Sequence, residues 1–81
     1  MLKIATKTKL SPEDAIKRAV EFFGPNGYRL EVKEQLPDYA SFEGGGGGIQ
    51  VVARVVGKET SVDIESREWD YQVKEFIGKI H

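Results

Sequence analysis

The sequence predicts an α+β fold, a two-layer sandwich in which two helices cover one face of a mainly antiparallel sheet. Apolar residues recur with a period of two in five segments and of about 3.6 in two others, in the order β-α-β-β-β-β-α. Strands with one apolar face and helices with one apolar stripe bury these surfaces only against each other. Because a chain of 81 residues has room for one core, residues 1–81 are predicted to form a single α+β domain.

The chain begins with a predicted strand and a predicted helix. In the strand, one face carries Leu2, Ile4, Thr6 and Thr8, and the other carries Lys3, Ala5, Lys7 and Lys9. The helix begins at Ser11, a favourable N-cap, followed by Pro12, which suits the first helical position. Its apolar stripe consists of Ile16, Ala19, Val20 and Phe23, and the GPNG segment at residues 24–27 ends it.

Four predicted strands occupy the middle of the chain. The second strand directs Tyr28, Leu30 and Val32 to one face and stops at Pro37, and residues 39–43 form a short third strand with Ala40 and Phe42 inward. The fourth strand has an inward set of Ile49, Val51, Ala53 and Val55 and an outward set of Gln50, Val52, Arg54 and Val56. A tight turn at Gly57 leads to a fifth strand with Thr60, Val62 and Ile64 inward.

The last element is a helix that we expect Ser66 to cap. Its apolar stripe consists of Trp69, Val73, Phe76, Ile77 and Ile80. The first strand, the first helix and the second strand form a crossover unit, which would allow these two strands to be parallel neighbours. The remaining strands would follow as a meander.

This layout is similar to one half of the TATA-box-binding protein fold. The resemblance concerns topology, spans the whole chain and rests on no sequence motif. The segments FEGGGGGIQVVARVV and SPEDAIKRAVEFFG also resemble a small uncharacterised prokaryotic protein family whose members carry no assigned activity. Since a shared fold says little about function, the residues themselves must carry that argument.

Composition argues against several classes of protein. The chain has no cysteine, which excludes a disulfide framework and a thiolate zinc site. It has neither the apolar run of a signal peptide nor one long enough to cross a bilayer, so we expect a cytoplasmic protein and no membrane partner. The formal net charge of −1 gives no electrostatic reason to expect a polyanionic partner.

Catalytic and metal-binding patterns are sparse. The only histidine, His81, is the last residue, and no calcium-loop motif of the D-x-[DN]-x-[DN]-G kind occurs. Asp63 and Glu65 share one face of the fifth strand, but basic neighbours make cross-strand ion pairs the expected role for them. We therefore predict no enzyme activity, no cofactor and no metal site.

The most unusual segment is a run of five glycines: Gly44, Gly45, Gly46, Gly47 and Gly48. It lacks the following helix and the lysine of phosphate-binding loops, so we expect a structural role first, as a hairpin loop or as bare backbone for close packing. A ligand contact through exposed backbone is the second interpretation. Arg54, Tyr39 and Phe42 are candidate binding residues near this segment, and Tyr39 and Phe42 could line a cleft there with Tyr71.

Two functional hypotheses follow. The first is a small non-catalytic binding domain that uses the open sheet face and the glycine segment, as a homo-oligomer or with a partner protein, with Val52 and Val56 as interface residues. The alternative is nucleotide or nucleic-acid recognition, in which the glycine backbone meets phosphate and positive charge comes from Lys3, Lys7, Arg29, Lys33 and Arg54. DNA binding by the sheet itself is disfavoured, because the outward apolar residues are not aromatic wedges.

Overall fold

A computed structural model describes residues 2–80 and contains the predicted elements in the predicted order. The elements are β1 (Leu2–Thr8), α1 (Pro12–Phe23), β2 (Glu31–Leu36), β3 (Tyr39–Gly44), β4 (Gly47–Val56), β5 (Glu59–Arg67) and α2 (Asp70–Ile80). The five strands form one antiparallel sheet, and both helices pack on the same face of it. The α+β prediction is therefore confirmed.

The strand order corrects the expectation that the first two strands could be parallel neighbours. The order is β1-β5-β4-β3-β2, which places β1 and β2 at opposite edges. Short hairpins connect β2, β3, β4 and β5, so these strands are neighbours in chain order. Every residue of β1 then pairs with a residue of β5. A helix of 12 residues is about 18 Å long and four strand spacings are about 19 Å, so α1 and its loops can reach from one edge to the other.

The first helix begins as the sequence predicts. The Ser11 side chain accepts a hydrogen bond from the Asp14 backbone N–H at 3.2 Å, which satisfies one of the free donors of the first turn. Glu13 and Lys17 form an ion pair at 3.2 Å on the exposed side. The buried side carries Ala15, Ile16, Ala19 and Phe23.

The start of the second helix differs from the prediction, because Ser66 is not its cap. Ser66 lies in β5, pairs with Leu2 and Ile49, and is buried with its hydroxyl unpartnered among the described residues. Strand pairing thus extends β5 to Arg67. The chain then turns at Glu68 (φ 70°), and the Trp69 carbonyl accepts the first helical hydrogen bond from the Val73 N–H at 3.0 Å.

The second strand begins later than the sequence suggests. Arg29 has a positive φ of 65°, Leu30 is buried just before the strand, and β2 starts at Glu31. A bulge between Val32 and Glu34 then shifts the pairing with β3. Tyr28, predicted to face inward, is exposed instead.

The core lies between the helices and the inner face of the sheet. It combines the buried residues of both helices with Phe42, Ile49, Val51, Val62 and Ile64. Val55 was predicted to belong to it but is 66% exposed, because the end of the β4–β5 hairpin extends past the helices. Within residues 2–80, neither helix has the length and apolar character needed to cross a membrane.

Candidate functional site

The face of the sheet opposite the helices, here called the open face, is exposed along all five strands. Strand register places directly paired residues side by side on this face. Its central row, from β1 to β2, consists of Ala5, Asp63, Val52, Tyr39 and Leu36. Val52 is 39% exposed in the middle strand, so the centre of the open face is an uncovered apolar side chain.

A shallow hollow lies on the open face at the end of β4 near the glycines. Its volume is about 200 Å³, and Gly48 forms its floor. Arg67 and Glu43 flank Gly48 on the neighbouring strands, because both pair directly with it. A Cβ at Gly48 would lie 3.4 Å from the Arg67 guanidinium and 3.8 Å from the Glu43 side chain, so the missing side chain is what opens the hollow.

Charge on the open face is distributed unevenly from edge to edge. β1 carries two lysines and no acid, whereas β2 and β3 together carry three glutamates and one lysine. Near the acidic edge, Lys33 pairs with Glu31 at 3.3 Å and with Glu43 at 3.9 Å. The edge strand β1 is therefore positive and the opposite edge strand β2 is negative, while β5 beside β1 carries three acids and one arginine on this face.

Asp63 and Glu65 form the cross-strand ion pairs that the sequence predicts. Asp63 pairs with Arg54 at 3.4 Å, and Glu65 pairs with Lys3 at 3.6 Å. All four side chains remain substantially exposed, so each pair is worth at most about 1 kcal/mol. Arg54, a predicted binding residue, thus lies on the open face beside an acid.

The five glycines do not form one loop. Gly44 ends β3, Gly47 and Gly48 begin β4, and only Gly45 and Gly46 form the turn between them. Their φ angles of 57° and 80° are the positive values that a tight type I′ hairpin requires at both central positions. Three of the five glycines are therefore strand residues, and their backbone belongs to the sheet.

Trp69 holds this turn against the body of the protein. Its indole N–H donates a hydrogen bond to the Gly44 carbonyl at 2.9 Å. A Cβ at Gly45 would lie 2.9 Å from the Trp69 ring, so the ring rests on bare backbone. The sequence suggested two structural roles for the glycines, a hairpin loop or bare backbone for close packing. Gly45 and Gly46 form a hairpin turn, and the Trp69 ring packs on the backbone of Gly45.

Aromatic residues continue from Trp69 towards the second helix. Tyr28 lies 6.0 Å from Trp69 and 5.4 Å from Phe22, ring centroid to ring centroid. The Tyr28 hydroxyl donates to Glu75 Oε1 at 2.6 Å, and this hydrogen bond is the main reason why the pKa of Tyr28 is raised above its ordinary value. Desolvation and the negative charge of Glu75 raise it further.

The aromatic cleft that the sequence allowed as one interpretation does not form. Phe42 faces inward and is buried in the core, Tyr39 lies on the open face, and Tyr71 is 74% exposed on α2. The three aromatic side chains cannot line one cleft, because those of Tyr39 and Phe42 lie on opposite faces of one strand. Val52 and Val56 are both exposed, and their role as interface residues stays a prediction. His81 lies outside the described residues.

Sequence reasoning missed Trp69 and Arg67 as neighbours of the glycine segment. Trp69 was assigned to the stripe of the last helix, and Arg67 was not assigned at all. The sequence signal for such a neighbour was the glycine run, because backbone without side chains allows another side chain to pack closely. Which side chain would use it depends on where β5 ends, and that is set by pairing with β1 and β4.

Comparisons with known proteins support the fold and do not identify a family. No protein-family model matches the chain, and no curated protein matches it. A solution structure described as the Aha1 dimer from Colwellia psychrerythraea is similar, with a TM-score of 0.59 and 13% sequence identity. The similarity covers 99% of this chain and 96% of that chain. The two resemblances drawn from the sequence, to half of the TATA-box-binding protein fold and to a small prokaryotic family, stay predictions.

Proposed function

We propose that this protein is a small non-catalytic interaction domain that binds through the open face of its sheet and forms a homo-oligomer. The observation that carries the proposal is Val52, an exposed apolar residue at the centre of the five-stranded face that lies opposite both helices of residues 2–80. Tyr39 lies directly beside it on β3. An apolar centre with charged residues around it is the usual composition of a protein interface.

The solved neighbour adds support for self-association. That protein is described as a dimer, and the similarity extends over nearly the whole of both chains. A fold of this kind can therefore present a surface to a second copy of itself.

Nucleotide or nucleic-acid binding through the glycine segment has weaker support. Gly44, Gly47 and Gly48 are strand residues, and Trp69 packs on Gly45. Their backbone is thus engaged in the sheet or covered, whereas a phosphate cradle needs free N–H groups directed at the ligand. A titration with nucleotides and short oligonucleotides, followed by amide shifts in residues 44–48, tests this alternative.

The molar mass in solution tests the interaction proposal. We expect sedimentation analysis of the wild-type protein to show a mass that rises with concentration above 9.1 kDa. Val52→Lys should keep the protein monomeric over the same range, because the substitution places a charge at the centre of the open face.

Val55→Lys is the matched control. Val55 is more exposed than Val52 but lies on the inner side of β4, away from the open face. It should associate as the wild type does. A wild-type mass that stays at 9.1 kDa throughout, or equal loss of association in both variants, would contradict the proposal.

A further inference from the structure

We infer that the open face binds a second copy of this chain across a twofold axis that lies between the two sheets and runs parallel to β4. The inference rests on the proposed function, since it requires the open face to be the binding surface. It adds the geometry of the dimer and the residues that form its contacts.

The charge pattern selects this axis. β1 is a basic edge strand and β2 is an acidic edge strand of the same open face. A twofold axis parallel to the strands places the basic edge of each copy over the acidic edge of the other. Such an interface is isologous, so every favourable contact occurs twice.

Strand register identifies the contacts near the hollow. Arg67 and Glu43 pair with Gly48 from opposite sides, one strand away from β4 in each direction. Rotation about an axis over β4 therefore brings Arg67 of one copy to Glu43 of the second copy. Arg67 takes part in no ion pair among the described residues, so its charge is available for this contact.

The next row supplies a second pair of opposite charges. Lys3 and Glu34 lie in the row of Gln50, each two strands away from β4. The same rotation places Lys3 of one copy over Glu34 of the second copy, so Lys3 would lie between this acid and Glu65 of its own chain, with which it pairs at 3.6 Å. In the central row, Val52 meets its own copy at the axis, and Tyr39 meets Asp63, where a phenol can donate to a carboxylate.

The proposed axis places Arg54 of one copy over Arg54 of the second copy, and within each copy Asp63 pairs with this arginine at 3.4 Å. Two other symmetric arrangements bring lysines together. An axis perpendicular to the strands through the central row would place Lys3 of one copy over Lys7 of the second copy. Antiparallel pairing of two β1 edges centred on Ala5 would also place these two lysines side by side. Like charges in direct opposition are destabilising, and lysines on an edge strand hinder such pairing.

The size of the face fits a small dimer. The largest two extents of the molecule are 36 and 21 Å, which limits the area of the face to about 750 Å² per copy. Stable interfaces typically bury about 800 Å² per partner. Because even this upper limit lies below the typical value, the charged contacts should have a measurable effect on the dissociation constant.

Charge reversal with mixing tests the geometry. Arg67→Glu and Glu43→Arg should each weaken self-association about tenfold or more, since each places like charges in contact twice. An equimolar mixture of the two variants should form a heterodimer with a dissociation constant within about threefold of the wild type, because the mixture restores both ion pairs. Sedimentation with one variant fluorescently labelled measures this directly.

Lys74→Glu is the control variant, because it makes the same change of charge on the exposed side of α2, away from the open face. It should self-associate normally and should not rescue Glu43→Arg. If Val52→Lys blocks association but the mixture does not recover it, the proposed function stands and this geometry is wrong. If Val52→Lys and both charge reversals leave a wild-type dimer intact, the open face is not the interface and both proposals fail.

Discussion

The two hairpin tips of β4 differ in a way that their composition would not suggest. The β3–β4 tip, built from glycines, is held by the Trp69 hydrogen bond to Gly44 and by the ring that rests on Gly45. The β4–β5 tip has nothing within 4 Å of the Cβ position of Gly57, and Val56 beside it is 45% exposed. The glycine-rich tip is thus the one that the rest of the chain contacts, while the ordinary tip is uncovered.

The difference arises from what surrounds each glycine. Gly45 and Gly57 both need a positive φ for their turns, with values of 57° and 64°. Gly47 needs the absence of a side chain for another reason, because its Cβ would overlap the backbone carbonyl of Arg67. Glycine therefore serves turn conformation at one tip and both conformation and close packing at the other.

Substitution of Gly47 should have the largest effect. In Gly47→Ala, the added Cβ would overlap the Arg67 carbonyl and lie 2.8 Å from the Glu68 Cβ, so the backbone of β4 or β5 must move. We expect the free energy of unfolding to fall by about 3 kcal/mol, measured by denaturant titration.

Gly78→Ala is the control for that measurement. Gly78 lies in α2 with nothing within 4 Å of its Cβ position, so alanine should stabilise the helix by about 0.5 to 1 kcal/mol. Equal effects of the two substitutions would mean that β4 and β5 do not approach closely at Gly47.

The two turn glycines can be compared directly. Gly45→Ala and Gly57→Ala should both be destabilising by about 1 to 2 kcal/mol, because alanine is strained at a positive φ. Only at Gly45 does the new Cβ also meet the Trp69 ring, at 2.9 Å, so this variant should lose about 1 kcal/mol more. Equal losses in thermal or denaturant unfolding would show that Trp69 does not hold the glycine tip.

The indole hydrogen bond should contribute less. Trp69→Phe keeps an aromatic ring near Gly45 but removes the N–H that donates to the Gly44 carbonyl, and we expect a loss of about 1 kcal/mol. Tyr71→Phe is the control, since Tyr71 is largely exposed and should tolerate the change. If the two variants have the same free energy of unfolding, the Trp69 hydrogen bond does not stabilise this tip.

The sequence predicted the element order and the faces of the strands, because these depend on local periodicity and on caps such as Ser11. It did not predict that β1 and β2 are opposite edges, since a helical connection permits either arrangement. Ser66 shows, for a single residue, how far a local sequence pattern can predict structure. Its position before a helical pattern resembles a cap, but pairing with Leu2 and Ile49 makes it a buried strand residue.

The candidate site was predictable only in part. Val52 followed from strand alternation, because every second residue of a strand faces the same side. The row that joins Arg67, Gly48 and Glu43 could not be found, since it depends on the register of three strands at once. Phe42 faces inward as predicted. Its choice as a binding residue rested on nearness in sequence to the glycines, which does not place a side chain on the open face.

The smallest predicted effect concerns Tyr28, which packs beside Trp69 near the β3–β4 tip. Its hydroxyl donates a hydrogen bond to Glu75. Mainly because of this hydrogen bond, the pKa of Tyr28 in the folded state lies above the ordinary value of about 10. Ionisation of Tyr28 removes the donated proton. A raised pKa in the folded state means that the stabilisation is complete below the unfolded-state pKa and is lost as the pH rises through the folded-state pKa.

Tyr28→Phe should therefore be less stable than the wild type near neutral pH, and the difference should shrink in strongly alkaline solution. Denaturant titrations of both proteins between about pH 8 and about pH 12 measure this. A difference that stays constant over this range would mean that Tyr28 stabilises the tip by packing on Phe22 and Trp69 alone. The β3–β4 tip would then depend on ring contacts and on the Trp69 hydrogen bond, and the hydrogen bond from Tyr28 to Glu75 on α2 would not contribute.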